Sequence, residues 1–99
     1  MSDIVVQLIV IKVRIKKSDL VWDEWNIEHI AKHHVVRAEV EQIFARAVRA
    51  KKSYKDRLIV FGKTKSRRLL AVVLEKEVRG YYVLSGRVAS RKERRDLLK

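Results

Sequence analysis

Hydrophobic and polar positions change rhythm twice along this chain. The sequence is apolar from Ile4, and then Ile11, Val13 and Ile15 alternate with Lys12, Arg14 and Lys16. A repeat of two sends successive side chains to opposite faces, so the spacing predicts a half-exposed strand running back to about Ile4. A second short extended piece ends at Trp22. Asp23 then offers an N-cap and Glu24 an acidic first turn, after which Ile27, Ile30, Ala31 and His34 recur at helical spacing. These predict a first helix over about 24–34. Val36, Val40, Ile43, Phe44, Ala47 and Val48 keep the same period, with Glu39, Glu41, Arg46 and Arg49 on the other side. They predict a second helix over about 36–50.

Past residue 50 the texture changes to apolar runs at 58–61, 69–74 and 81–84, separated by polar clusters at 63–68 and 75–80. Short apolar runs between polar turns predict an antiparallel meander with one well-buried face. Strand alternation also requires that either Tyr81 or Tyr82 point away from the core. Ser90, Arg91, Lys92 and Glu93 spell a capping box, in which two side chains reciprocally satisfy free helix amides, and predict a short C-terminal helix over about 91–98. Helices grouped first and strands second give an α+β fold: two N-terminal helices packed on an antiparallel β-sheet, with an extra N-terminal strand.

Length and composition narrow the class. Ninety-nine residues, 47% of them apolar, make a single domain that can bury a core. The chain has no Cys, which excludes a disulfide scaffold and thiol chemistry and fits a cytoplasmic setting. The N-terminal apolar stretch has Asp3 before it and no basic n-region, so it does not read as a signal peptide. It is also far short of the roughly 20 residues that span a bilayer, so no membrane association is expected.

Charge changes the picture more. The formal net charge is +12, and it is unevenly placed: residues 46–68 hold ten cations against one carboxylate, whereas residues 18–45 hold two against six. A one-sided basic surface points to an anionic partner, nucleic acid first. The cations Lys51, Lys52, Lys55, Lys63, Lys65, Arg67 and Arg91 are the candidate set for tracking such a partner, whether a nucleic acid such as RNA, an acidic protein or an anionic membrane.

Candidate chemistry is sparse. His29 and His33 are four apart and share a helix face, but no third ligand at a recognisable spacing accompanies them, so neither metal nor other cofactor is expected. No Ser-His-Asp arrangement and no glycine-rich phosphate cradle occurs. Lys32 beside His33 places a cation next to a titratable imidazole near a helix end, a setting suited to a phosphate ester. Arg57, Arg68 and Arg87 fall at strand ends that a meander brings together, and guanidinium forks match phosphate geometry. The competing structural reading pairs these arginines with Glu75, Glu77 or Glu93.

Several of these residues form an ordered set. Trp22-Asp23-Glu24, then Asn26, then Lys32-His33 resembles the W-D-E…N…K-H opening of the BrnT ribonuclease toxins of bacterial type II toxin–antitoxin systems. The stretch from Arg57 to Gly62 is similar to their R-x-x-x-x-G strand, and Arg68-Leu69-Leu70 to their R-L-L start of the next. Ser85-x-Arg87-x-Ala89-Ser90-x-x-Glu93-Arg94 resembles their C-terminal signature. Residues 21–95 would be the toxin core and residues 1–20 a strand extension. His34 stands where the family has Gly, and some 20 residues precede the first motif.

The resemblance implies a RelE-like fold and endoribonuclease activity that inhibits translation, without metal and with the 2′-OH as nucleophile. It also implies a DNA-binding antitoxin encoded beside the gene, forming a hetero-oligomer with the toxin. Carried over residue by residue, the site would fall on Lys32, His33, Arg57, Arg68 and Arg87. The alternatives are a non-catalytic basic RNA- or DNA-binding domain and, as the resemblance also allows, an inactive relic held by its antitoxin.

Overall fold

The computed structural model describes residues 11–97, which form a mixed six-stranded sheet and three α-helices. In chain order these are β1 (Ile11–Val13), a 3-10 turn (Lys17–Asp19), β2 (Leu20–Val21), α1 (Glu24–Ala31), α2 (Arg37–Ile43), β3 (Val48–Lys52), β4 (Arg57–Lys63), β5 (Leu69–Glu77), β6 (Gly80–Val88) and α3 (Arg91–Leu97). The part of the predicted N-terminal strand before residue 11 lies outside the described residues.

The sheet order is β1-β3-β4-β5-β6-β2. Neighbours from β1 to β6 are antiparallel, whereas β2 runs parallel to β6, so the sheet is mixed and not wholly antiparallel. β1 and β2 are consecutive in sequence yet occupy opposite edges. Ile15, on the chain between them, is buried in the core.

Three predicted boundaries are corrected. The second helix ends at Ile43, and residues 48–52 are a strand. Helical period and strand alternation compete there, because Val48 and Ala50 are buried while Arg49 is exposed. Pairing with both β1 and β4 decides for the strand. The predicted turn at 75–80 shrinks to Val78-Arg79, since Glu75 to Glu77 pair with Gly80 to Tyr82. The first helix stops at Ala31, and its closing turn carries the remainder.

That closing turn has a definite geometry. The Val35 amide donates to the Ile30 carbonyl at 3.2 Å and the His34 amide to the Ala31 carbonyl at 2.9 Å, with His34 at φ 60°. This is the Schellman closure, with Ile30 and Val35 making its apolar contact, both fully buried. The left-handed residue is a histidine, at the position where glycine is the unstrained choice.

Both helices pack on one face of the sheet. Ile30, Val35, Val40, Ile43 and Phe44 meet Val48, Ala50, Val60, Leu70, Val72, Leu74 and Val83 in the main core. Apart from Ala50, each such side chain contributes about 1.5–3 kcal/mol by leaving water. Gly62 lets α2 lie close, because a Cβ there would come within 2.7 Å of the Ile43 Cβ. A smaller cluster of Phe61, Leu69, Ala71 and Ala89, with Ile59 and Leu97 against it, forms on the other face where α3 lies. Among the described residues no helix covers the rest of that second face, the open face of the sheet.

Candidate nucleic-acid interface

The strand register decides which side chains share the open face. Arg57 lies beside Glu75, which lies beside Tyr82; one row on come Lys51, Ile59, Val73 and Ser85; the next holds Arg49, Phe61, Ala71 and Arg87. The register shifts between Val73 and Leu74, where Leu84 is the extra residue of β6. The shift keeps both Tyr82 and Arg87 on the open side while Val83 stays in the core. Tyr81 packs against the core, so Tyr82 is the outward tyrosine that alternation required.

Arg87 is the most firmly placed of the arginines. Its Nη1 donates to Glu93 Oε1 at 2.7 Å and its Nη2 to Glu93 Oε2 at 2.9 Å, a two-pronged charge-assisted contact. The same Glu93 accepts from the Ser90 amide at 2.8 Å while the Glu93 amide donates to Ser90 Oγ at 3.1 Å, the capping box read from the sequence. The Arg87 hydrogen bonds hold the Glu93 carboxyl at about 2, against an ordinary 4.5, and the pairing pushes the Arg87 guanidinium up in turn. Glu93 takes the Nη1–Nη2 end of the guanidinium. The Nε–H and the outer Nη2–H, on the adjacent edge, are left for another acceptor, and the Arg87 side chain is 40% exposed.

Arg57 is held more loosely. Its Nη1 donates to the Tyr54 hydroxyl at 3.1 Å and its guanidinium lies 5.1 Å from the Tyr54 ring centre. Its Nε is 3.6 Å from Glu75 Oε2, beyond hydrogen-bond reach, and has no partner among the described residues. Tyr54 is 67% exposed in the β3–β4 turn, and Lys55 also reaches its ring, at 5.9 Å. Tyr54 is thus an exposed aromatic ring with two cations against it, a combination found where nucleobases stack. Sequence reasoning passed over it; the signal was a lone aromatic inside an otherwise polar turn.

Tyr82 is a protonated group in this setting. Its hydroxyl lies 2.9 Å from each Asp23 oxygen, and partial burial together with that carboxylate pushes the phenol above its ordinary value. Asp23 is shifted down, first by the Asn26 amide it accepts from. The Asn26 side chain accepts from the Asp23 amide at 2.9 Å and donates to the Val21 carbonyl at 2.9 Å, fully buried. The W-D-E…N pattern is therefore a helix start that pins β2 to α1, a structural role.

The other sequence candidates lie elsewhere. Arg68 is on the helix-covered side, at 2.6 Å from Glu39 of α2. Lys32 and His33 are exposed in the closing turn of α1, also in the helix layer. His33 ends an aromatic row along α1: Trp25 stacks on His29 at 4.7 Å, and His29 meets His33 edge-on at 6.1 Å. Lys51 is on the open face, whereas Lys52 points to the opposite side, in register with Leu58. Lys55 occupies the β3–β4 turn at φ 60°, Arg91 opens α3, and Lys63, Lys65 and Arg67 gather at the β4–β5 turn. Among the described residues no three His, Asp or Glu side chains gather as a metal-holding group, and no helix is long and apolar enough to cross a membrane.

The fold and its face define an α+β protein with an arginine-bearing open sheet surface. No protein-family model, no curated protein and no solved structure matches the chain.

Proposed function

We propose that the protein is an endoribonuclease of the BrnT toxin type, RelE-like in its arrangement, which cleaves RNA laid across the open face of the sheet. The observation that carries this reading is the placement of Arg57 and Arg87 on one face of the sheet, Arg87 set by Glu93 and Arg57 by the Tyr54 hydroxyl with Glu75 nearby, each with guanidinium donors to spare. Such donors suit a phosphodiester: they hold the strand in line and stabilise the charge that gathers on phosphorus as the 2′-oxygen attacks. The P–O5′ bond then breaks, leaving a 2′,3′-cyclic phosphate and a 5′-hydroxyl. The 2′-OH gives up a proton and the departing O5′ takes one. Glu75 is the acceptor carboxylate on the face, and water gives the departing O5′ its proton, because the one Tyr82 O–H is donated to Asp23. Tyr54 stacks a flanking base. Lys32 and His33 stand apart from this face, so the reading gives them no step in the cleavage.

The partner under this proposal is a DNA-binding antitoxin that covers the basic surface, with translation inhibited when it is absent. A second reading, a non-catalytic RNA- or DNA-binding domain, is favoured by one observation: both arginines already have carboxylate neighbours. Incubating the purified protein with RNA at low salt in EDTA separates the two. Fragments ending in 2′,3′-cyclic phosphate support the nuclease; intact RNA that is nevertheless tightly bound supports the binding domain.

A further inference from the structure

A cleft opens between the end of α2 with its following loop, residues 42–48, and the β4–β5 turn. Arg46, Lys63, Lys65 and Arg67 line it, and no acidic residue does. Among the described residues none of the four belongs to an ion pair, although Arg37, Arg57, Arg68, Arg79 and Arg87 each do. Four cations around one concavity, with no carboxylate among the described residues lining it, raise each other's energy, and an anion seated there relieves it.

The walls are fixed in place. The Lys65 amide donates to Gln42 Oε1 at 3.0 Å, tying the turn to α2. The Arg68 amide donates to the Thr64 hydroxyl at 3.1 Å, and the Arg67 amide to the Thr64 carbonyl at 2.9 Å. Arg67 itself is left-handed, at φ 71°, where glycine is the unstrained residue. The turn therefore keeps a cation at a backbone cost.

We infer that this cleft is a second phosphate-binding site, one that holds the RNA strand away from the bond that is cut. That the polyanion is RNA rests on the function proposed above; the anion preference rests on the cleft alone. A nucleic-acid backbone fits better than an acidic protein, because no large apolar side chain is exposed in the walls. Protein interfaces centre on such anchors. Lys63 is six residues from Arg57 along β4, about 20 Å at strand rise. Because α2 walls the cleft on the helix-covered side, an RNA that engages both sites passes around the β4–β5 turn and is longer than the dinucleotide at the scissile bond.

The test is fluorescence anisotropy of the full chain with a 5′-fluorescein-labelled twelve-residue oligouridylate over a range of salt. Arg67→Gly removes one cation and relieves the left-handed strain, so it leaves the fold intact, as a melting curve verifies. Combined with Lys65→Gln, it is expected to weaken binding at least about threefold and to flatten the salt slope by about 0.7 for each phosphate that is no longer neutralised. Unchanged affinity and slope in that double variant overturn the inference. So does a polyglutamate peptide whose binding depends on these cations while RNA binding does not. The two proposals fail separately: cleft variants that weaken binding to RNA that is never cleaved sink only the nuclease, and cleavage with cleft variants that bind normally sinks only the cleft.

Discussion

Glu93 holds Arg87 with both carboxylate oxygens while also capping the first turn of α3. One residue thus fixes the arginine at the end of β6 and anchors the helix that closes the second apolar cluster. A group with both duties affects stability and function together, and the two are separated by pH.

Glu93 has its carboxyl at about 2 in the folded protein, below its ordinary 4.5. Its stabilising contribution is therefore complete above pH 4.5 and is lost as the pH falls toward 2. Glu93→Gln should cost about 2 kcal/mol at pH 7, the range for hydrogen bonds to charged groups, and almost nothing near pH 2. Urea titrations of both proteins at the two pH values check this. A difference that does not shrink in acid would remove Glu93 as the titrating partner.

His34 adopts φ 60° to close α1. His34→Gly should stabilise the protein by about 1 kcal/mol, roughly 5 °C in melting temperature for a domain of this size. A β-branched residue such as valine should act in the opposite direction. A glycine variant that melts lower would mean the imidazole makes a stabilising contact of its own.

Asn26 satisfies three partners while fully buried. Asn26→Ala leaves the Val21 carbonyl and the Asp23 amide without their partner, at a cost of about 3 kcal/mol. Because the side chain joins β2 to α1, amide exchange should rise first at Leu20 and Val21. A destabilisation below about 1 kcal/mol, within the range of an ordinary surface cap, would contradict the buried role.

Gly80 has φ 143°, and a Cβ there would come within 2.2 Å of the Asp19 carbonyl oxygen. Gly80→Ala should loosen β2 from β6 and destabilise the protein by more than about 2 kcal/mol. The Tyr82–Asp23 hydrogen bonds should weaken with it, readable as a fall in the tyrosine titration midpoint toward its ordinary value. An alanine variant as stable as the parent would show that the edge adjusts freely.

The elements most legible in the sequence were those with local signals. The two capping motifs at Asp23 and Ser90 marked helix starts, and the apolar runs marked β4, β5 and β6. β3 was hidden because Val48 and Ala50 satisfy a strand face while Ala47 and Val48 also continue a helical one. No glycine or proline marks the break, and pairing with distant β1 and β4 settled it. The site was half legible. Arg68 is two residues before Leu70 and so shares the core-facing side, a parity readable from sequence. Which arginines share the open face depends on register and on the extra residue Leu84, which only the folded sheet defines. Tyr54 showed only as a lone aromatic in a polar turn, because its contact with Arg57 forms through the folded turn.

The most direct test of the open face is the single-turnover cleavage rate of a defined RNA by three alanine variants, each verified as folded by its melting curve. Arg57→Ala and Arg87→Ala should each slow cleavage by about 100-fold or more, the usual cost of removing a charge-stabilising donor. Arg68→Ala, on the far side of the sheet against Glu39, should stay within about threefold of the parent. Equal losses at all three arginines, or full activity without Arg57 and Arg87, would contradict the assignment of the reaction to this face.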